Sequence, residues 1–242
     1  MNLRFIALAV AASPSVLPGV TLLLEDFEDS TVGYTTSISE TSDGSNDYFG
    51  RVAPDGISVG TNIVYSNLQG SGYFGGQDMD ANGTGDPNAA GAQATITWTG
   101  IDITGYGNLR FSAFWAEDDD GTNEDWDSAD DFVLVEFQID GGGFQNLFAI
   151  ENDGTTFNTA PLIDTDFDGI GDGAVITDSF TRYFSTISGT GSSLDLRITI
   201  DLDSGDEDIA FDNVMIESIP EPGIALLGSL GLLGLLRRRR SA

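Results

Sequence analysis

The residues best suited to chemistry in this 242-residue chain lie in one short acidic loop. Ca²⁺ takes roughly six to eight oxygen ligands, and alternate carboxylates on a tightly turning loop can converge on one point. The glycine at position 169 permits the sharp bend, and the next main-chain carbonyl supplies a further oxygen. The spacing therefore predicts a calcium site whose ligands come from Asp164, Asp166, Asp168, Ile170 and Asp172.

The loop is similar to the D-x-D-x-D-G-x-x-D loops of EF-hands, dockerins and thrombospondin type 3 repeats. It departs from that pattern at position twelve, where Val175 replaces the acidic ligand. Its flanks read as strands rather than helices, so an EF-hand is not predicted. The missing ligand must come from water, from Asp178 or from another loop. The alternative is an acidic turn that only stays solvated.

A second calcium site is predicted where the two ends of the body of the chain, residues 21–217, meet. Acidic residues lie near the start of the body, and Phe211-Asp212-Asn213-Val214 lies near its end. This arrangement loosely resembles calcium-containing jelly-roll modules of the carbohydrate-binding and MAM kind. The resemblance implies a cation that ties the first strand to the last, with Glu25, Asp26, Glu28 and Asp212 as ligands. Outward-facing acids on alternating strand positions are the alternative.

Two aromatic residues in polar loops are candidates for stacking on a sugar ring. Trp126 lies within the run from Glu117 to Asp131, which is mostly acidic and has no basic residue. Tyr73 lies in a glycine-rich stretch. A loop ordered by a cation would present such rings to a polysaccharide. The alternatives are a loop that stays solvated and rings that cover the edge of the core.

Composition excludes most catalytic chemistry. The chain has no His and no Cys, and all nine basic residues are Arg. A Ser-His-Asp or Cys-His arrangement, a lysine Schiff base and an ordinary zinc centre are therefore ruled out. Only carboxylate chemistry is left, as in glycoside hydrolysis. The net charge of −30 also predicts repulsion of nucleic acid and attraction of divalent cations.

The elements that must position these residues are short strands. Apolar residues alternate with polar ones at 94–98, 109–115, 133–139 and 194–200, and glycines separate the runs. No stretch between Thr21 and Ser218 shows a helical period. We therefore predict an all-β fold over residues 21–217, an antiparallel β-sandwich, with long connections that favour a jelly-roll-like topology over a meander.

The N-terminus carries a targeting pattern. A short positive start is followed by an apolar, alanine-rich stretch and then by small residues with two prolines. Residues 1–20 resemble a secretory signal peptide, which predicts export.

The C-terminus carries a second targeting pattern over residues 218–242. It contains Pro-Glu-Pro, a thirteen-residue apolar stretch from Ile224 to Leu236 that predicts a short hydrophobic helix, and four arginines. The three parts in this order resemble the PEP-CTERM sorting signal, carried here by Pro220, Glu221, Pro222, Arg237, Arg238, Arg239 and Arg240. The resemblance implies an exosortase as partner, transient residence in the inner membrane, and final localisation at the cell surface, outer membrane or extracellular matrix.

Together these features predict an exported, calcium-stabilised β-sandwich protein without catalytic activity. One alternative is a lectin-like module that binds extracellular polysaccharide. A second alternative is a carbohydrate-active enzyme that works through two carboxylates. An acidic, lysine-poor surface also suits a saline environment, and that interpretation is compatible with each of the three.

Sorting can be tested through the Pro-Glu-Pro segment. We expect replacement of Pro220, Glu221 and Pro222 by alanine to leave an unprocessed, membrane-retained form, because an exosortase would no longer recognise the segment. Mass spectrometry of surface material measures the C-terminus. An intact wild-type chain through Ala242 would contradict the sorting hypothesis.

Overall fold

The computed structural model describes residues 19–44, 46–61, 63–79, 93–118, 126, 131–154 and 159–219. Most of the predicted signal peptide lies outside the described residues. So do the predicted sorting segment from residue 220 onward, with its hydrophobic helix, and most of the acidic run around Trp126. Within the described ranges, no helix is long and apolar enough to cross a membrane.

The described residues form thirteen strands and no helix, which confirms the all-β prediction. The strands are β1 (Val20–Glu25), β2 (Thr35–Thr36), β3 (Thr41–Ser42), β4 (Tyr48–Val52), β5 (Tyr73–Gln77), β6 (Gln93–Asp102), β7 (Leu109–Ala116), β8 (Phe132–Ile139), β9 (Gln145–Glu151), β10 (Leu162–Asp164), β11 (Thr181–Ile187), β12 (Ser193–Asp201) and β13 (Asp208–Ser218).

The strands form two sheets in which every strand pair is antiparallel. The seven-stranded sheet, called sheet A, has the order β11-β7-β13-β5-β4-β3, and β1 also pairs with β13. The six-stranded sheet, called sheet B, has the order β10-β9-β8-β12-β6-β2. Most neighbours within a sheet are distant in sequence, so the chain crosses repeatedly between the sheets. This is the predicted jelly-roll-like sandwich rather than a meander.

The alternating patterns place their apolar faces between the two sheets. In β12 the side chains of Leu194, Leu196, Ile198 and Ile200 are fully buried. Ile198 lies opposite Ile96 of β6 on one side and opposite Val135 of β8 on the other. Because side chains alternate between faces with a period of two, one register fixes the inward face of the whole sheet.

Aromatic rings fill the centre of the sandwich. Phe74 of β5 lies with its ring centroid 5.0–5.7 Å from those of Phe27, Tyr34, Phe49 and Phe211, mostly in tilted or edge-to-face geometry. Rings bury large apolar areas, and edge-to-face pairs add attraction beyond area. Phe27 follows β1 and Phe211 lies in β13, so this cluster also joins the two ends of the body.

A long connection covers part of the outer face of sheet A. Between β4 and β5, Tyr65 packs its ring against Tyr73 and Phe180, with centroids 5.3 Å and 5.5 Å away. The side-chain amide of Asn67 donates to the carbonyl of Phe180 at 2.7 Å. This connection therefore buries residues of β5 that would otherwise face solvent.

Truncation of a central ring tests this account of the core. We expect Phe74→Ala to lower the free energy of unfolding by about 3–5 kcal/mol, because it removes a buried ring and leaves a cavity. Phe184→Ala is the matched control, since that side chain is 50% exposed and its loss should cost about 0.5 kcal/mol or less. Denaturant unfolding measures both, and equal losses would contradict this assignment of the core.

Candidate metal centre

The predicted calcium loop is a tight excursion between two paired segments. Leu162 of β10 forms a bridge with Val175, and the N–H of Ile163 donates to the carbonyl of Ala174 at 3.0 Å. The N–H of Gly173 donates back to the carbonyl of Ile163 at 2.7 Å. The flanks are extended, as the sequence predicts, and they hold the acidic residues between them on a rigid base.

Main-chain N–H groups of the loop converge on Asp164, which is 2% exposed. Its Oδ1 accepts from the N–H groups of Asp166 at 3.0 Å and Phe167 at 2.7 Å. Its Oδ2 accepts from the N–H of Gly169 at 3.0 Å. The φ angle of Gly169 is +87°, a conformation that glycine adopts without strain. The first acid of the loop thus folds the backbone around its own carboxylate.

Carboxylate oxygens of Asp164, Asp166 and Asp168 all lie within 4.8 Å of one another. The pKa of Asp166 is raised, chiefly by the negative charge of Asp168 and then by slight desolvation and the charges of Asp172 and Asp164. That direction means that the loop brings like charges together at an energetic cost. A bound divalent cation would reverse the sign of this interaction.

The other predicted ligands of the loop are placed differently. Asp172 Oδ1 accepts from the Thr165 hydroxyl at 2.7 Å and the Thr165 N–H at 3.0 Å, and these bonds lower the pKa of Asp172. The group of three carboxylates includes neither Asp172 nor Asp178. The N–H of Ile170 donates to Asp168 Oδ1 at 3.1 Å. Three carboxylates are fewer ligands than Ca²⁺ takes, so water and main-chain carbonyls would complete the shell.

One acid near the loop was missed by sequence reasoning. Glu151 ends β9, which pairs with β10 directly before the loop. Burial, together with the negative charges of Asp164 and Asp131, raises the pKa of Glu151 to about 8. The sequence signal is only an acid at the end of an apolar strand. Its proximity to Asp164 depends on the pairing of β9 with β10.

The predicted site at the chain ends is only partly assembled. β1 pairs with β13, so the two ends do meet. However, Glu28 accepts from the N–H groups of Ser71 and Gly72 at 2.7 Å and 3.0 Å, and Glu25 accepts from the N–H of Gly33 at 3.1 Å. Asp26 accepts from the N–H of Glu28 at 3.3 Å.

Asp212 completes the predicted set. Burial raises its pKa to about 7, against hydrogen bonds from Asn213 and together with the charge of Glu28. No three of the four predicted acids bring oxygens within 4.8 Å of one another in the described structure. These carboxylates mainly cap main-chain N–H groups.

A second acidic group, which was not predicted, includes Asp131, whose charge also acts on Glu151. Oxygens of Asp131, Asp203 and Glu207 lie within 4.8 Å of one another, and Glu207 and Asp131 are buried. Glu207 accepts from the N–H groups of Asp203 at 2.8 Å and Ser204 at 2.9 Å, which closes the turn between β12 and β13. Burial and the charge of Asp131 raise the pKa of Glu207. The sequence gives little sign of this group, because Asp131 comes close to Asp203 and Glu207 only when the chain folds.

The prediction that Trp126 and Tyr73 stack on sugar is wrong for this structure. Trp126 is fully buried in the core, and Asn152 donates a hydrogen bond to its main-chain carbonyl. Tyr73 is 8% exposed because Tyr65 and Phe180 cover it. Trp115 is also fully buried and packs against Phe148.

The exposed aromatic rings lie elsewhere, beside the acidic loop. A cavity of about 370 Å³ lies between edge strands β10 and β11, where the two sheets part at one side of the sandwich. Phe167 and Phe184, which line it, are 39% and 50% exposed. Phe148 and Tyr183 also line it, and Asp164 is its only acidic lining residue among those described.

Comparison with known proteins gives only distant similarities. No protein-family model matches the sequence, and no curated protein matches it. One similar solved structure holds the CBM22-1 and GH10 modules of Clostridium thermocellum endo-1,4-beta-D-xylanase 10B with xylohexaose. The TM-score is 0.44 at 11% identity, over 85% of this chain and 30% of that chain. This chain therefore spans less than a third of that protein.

Two further structures are similar over nearly their whole length. For the CBM22-1 xylan-binding domain from Paenibacillus barcinonensis Xyn10C, the TM-score is 0.39 at 14% identity, over 84% of this chain and 96% of that domain. For an apo cyclase from Fischerella sp., the TM-score is 0.45 at 13% identity, over 85% of this chain and 98% of that protein. At these values no ligand or activity is carried over to this chain.

The raised pKa of Glu151 predicts a pH dependence of stability. The folded protein holds this proton up to about pH 8, whereas the unfolded chain releases it near 4.5. The stabilisation is therefore complete below pH 4.5 and is lost as pH rises to about 8. One group changes the free energy of unfolding by at most about 1.4 kcal/mol per pH unit, and partial exposure reduces this.

We expect Glu151→Gln to flatten this decline in calcium-free buffer. Denaturant unfolding of wild type and variant at pH 5, 6.5 and 8 measures the difference. Parallel curves over this interval would show that Glu151 titrates normally in the folded protein.

Proposed function

We propose that this chain is an exported, calcium-stabilised β-sandwich protein of the cell surface or extracellular matrix, without catalytic activity. The observation that carries the proposal is the convergence of Asp164, Asp166 and Asp168 within 4.8 Å on a loop with a rigid base. Three carboxylates at this spacing repel one another without a cation and bind a hard cation through oxygen.

The charge of the whole molecule supports a role for a cation in stability. The sequence carries 39 acidic residues and nine basic ones. Self-repulsion of this kind destabilises a compact state, most strongly where acids cluster. A cation that binds the folded loop but not the unfolded chain stabilises the fold in proportion to RT ln(1 + [L]/Kd).

Two features of the site support a non-catalytic role. The acidic group in the cavity, Asp164, already accepts three main-chain hydrogen bonds, so it is committed to holding the loop. Carboxylate-based glycoside hydrolysis needs two acids that face each other across the substrate. The described lining of the cavity supplies only one.

Export and sorting are proposed from the two ends of the sequence. The signal-like residues 1–20 and the Pro-Glu-Pro, apolar and arginine segments of 218–242 support passage through the inner membrane and processing by an exosortase. The folded body between them would then be displayed at the surface or released into the matrix.

A second candidate function is the binding of extracellular polysaccharide in the cavity between β10 and β11. The specific observation is that two exposed aromatic residues, Phe167 and Phe184, line it together with the polar residues Asn146, Thr165 and Thr186. An apolar ring face beside hydrogen-bonding groups suits a sugar, which offers both C–H faces and hydroxyls.

The calcium proposal predicts a cation-dependent melting temperature. We expect a chelator to lower the melting temperature by several degrees, because an ion at a hundredfold excess over its Kd contributes about 2.7 kcal/mol and a domain of this size shifts by roughly 2–4 °C per kcal/mol. Differential scanning calorimetry with calcium and with chelator measures this shift.

Two controls separate a specific site from general screening. Asp166→Ala combined with Asp168→Ala should abolish most of the calcium response, since it removes two of the three converging carboxylates. Sodium chloride at matched ionic strength should not replace calcium, because sodium only screens charge in general, whereas calcium binds through the specific geometry of the loop. If sodium restored the melting temperature as fully as calcium does, the acids would form only a salt-adapted surface and the calcium site would be excluded.

The polysaccharide candidate predicts a glycan that binds through Phe184 and Phe167. A glycan array on the purified protein, with calcium and with chelator, identifies the ligand. We expect Phe184→Ala and Phe167→Ala each to weaken binding about tenfold or more, since loss of a stacked ring removes about 1–2 kcal/mol. Leu24→Ala, at an exposed site on β1, is the control. Equal binding by all variants would exclude this cavity as the site.

A further inference from the structure

Strand β11 forms an edge of sheet A. Residues Thr181–Ile187 pair with β7 along an unbroken register, from Thr181 opposite Trp115 to Ile187 opposite Leu109. No other strand of the described chain pairs with β11. The long side of β11 away from β7 borders the cavity. An unpaired strand edge presents main-chain N–H and C=O groups that can pair with another strand.

The structure shows which groups point to this edge. Just before β11, the N–H of Ser66 donates to the carbonyl of Asp178 at 2.8 Å, and the N–H of Phe180 donates to the carbonyl of Ser66 at 3.0 Å. Ser66 thus already occupies the start of the edge. Along an extended strand, the N–H and C=O of every second residue point to the same side. The groups of Arg182, Phe184 and Thr186 therefore point to the remaining open part.

Among the described residues, this edge has few of the features that usually protect an edge strand. Natural edges are blunted by proline, lysine, bulges or covering loops. The sequence of β11, Thr-Arg-Tyr-Phe-Ser-Thr-Ile, has no proline and one charge, and its register with β7 has no bulge. Phe184, at the middle of the strand, is 50% exposed. Beyond the bridge between Ser66 and Ser179, no strand of the described chain pairs with this edge.

We propose that the β11 edge pairs antiparallel with the β11 edge of a second copy of this chain. The symmetric register places Phe184 opposite Phe184 of the second copy, and Arg182 opposite Thr186. The N–H and C=O of all three residues are then satisfied across the interface. Two copies of sheet A join into one continuous sheet, and the contact is isologous, as in most dimers with twofold symmetry.

The charges carried by β11 permit a second copy in this register. The body is strongly acidic, yet β11 has no acidic residue. The guanidinium groups of Arg110 and Arg182 lie 4.6 Å and 5.2 Å from the centroid of the Phe184 ring. The symmetric register places no like charges directly opposite each other, and such pairs would weaken a sheet.

The cavity provides space for side chains of the second copy. Tyr183 and Ser185 alternate with the exposed side chains of β11 and are partly buried toward the sandwich. In the paired sheet, the same two residues of the second copy point into the cavity beside β11. Tyr183 of the second copy would then face the rings and apolar groups that line it, including Phe148 and Ile163.

Disulfide trapping tests the register, because the chain has no cysteine of its own. In a hydrogen-bonded antiparallel pair, opposite Cα atoms lie about 5.5 Å apart, within the range for a disulfide. We expect the full chain with Phe184→Cys to form a covalent dimer on mild oxidation. Thr181→Cys is the matched control on the same strand, since symmetry separates the two Thr181 positions by about 20 Å.

A proline separates edge pairing from other association. Thr186→Pro removes an N–H that points to the open edge, a position where a strand tolerates proline. Added to Phe184→Cys, it should lower the yield of covalent dimer about tenfold, with the melting temperature within a few degrees. Because repulsion between acidic bodies is screened by salt, sodium chloride should raise the yield for Phe184→Cys.

Two results would overturn the proposal. The first is equal cross-linking at Phe184→Cys and Thr181→Cys, which would indicate nonspecific association. The second is the absence of a Phe184→Cys dimer at about 0.1 mM protein and 0.5 M sodium chloride, since a contact of this size should be populated there. Glycan binding that depends on Phe184 in such a monomeric protein would assign the cavity to polysaccharide instead.

Discussion

The hydrogen bond from a main-chain N–H to a carboxylate is the interaction on which this structure depends. An acidic chain without lysine or histidine has few cations to neutralise its acids. In the described residues, Arg51, Arg110 and Arg197 form ion pairs with acids. Many other acids accept main-chain N–H groups at turns, as Asp164 and Glu207 do. These bonds fix the loops, and they stabilise charge without a cationic partner.

Main-chain N–H donors stabilise the charge of an isolated acid, but they do not offset the repulsion where several acids lie close together. Hydrogen bonds from Gly72 and Ser71 lower the pKa of Glu28, so its charge is well accommodated. The pKa values of Asp166 and Glu151 are raised, by Asp168 in the first case and by burial with Asp164 in the second. The remaining repulsion lies in the group of Asp131, Asp203 and Glu207 and around the loop of Asp164, Asp166 and Asp168. A cation bound there would relieve the strain that main-chain donors leave uncompensated.

Local periodicity predicted much of the fold and little of what surrounds the site. Alternation at 94–98 and 194–200 predicted strands and their buried faces, because a period of two is a property of each strand alone. The spacing of Asp164, Asp166 and Asp168 predicted their convergence because all three lie on one short turn. Trp126 was predicted wrongly, because nothing in its acidic neighbours shows that the ring reaches the core. Glu151 was missed because its proximity to the loop arises from strand pairing.

The acidic loop and the open edge are two walls of one cavity. Asp164 and Thr165 line one side, and Tyr183 to Thr186 line the other. Any partner that enters between β10 and β11, whether a strand or a sugar, therefore contacts the base of the loop. If calcium orders the loop, it also fixes the shape of that wall. Calcium and the partner would then be linked thermodynamically, each strengthening the other to the same extent. Calcium concentration would thereby affect both the stability of the sandwich and its association.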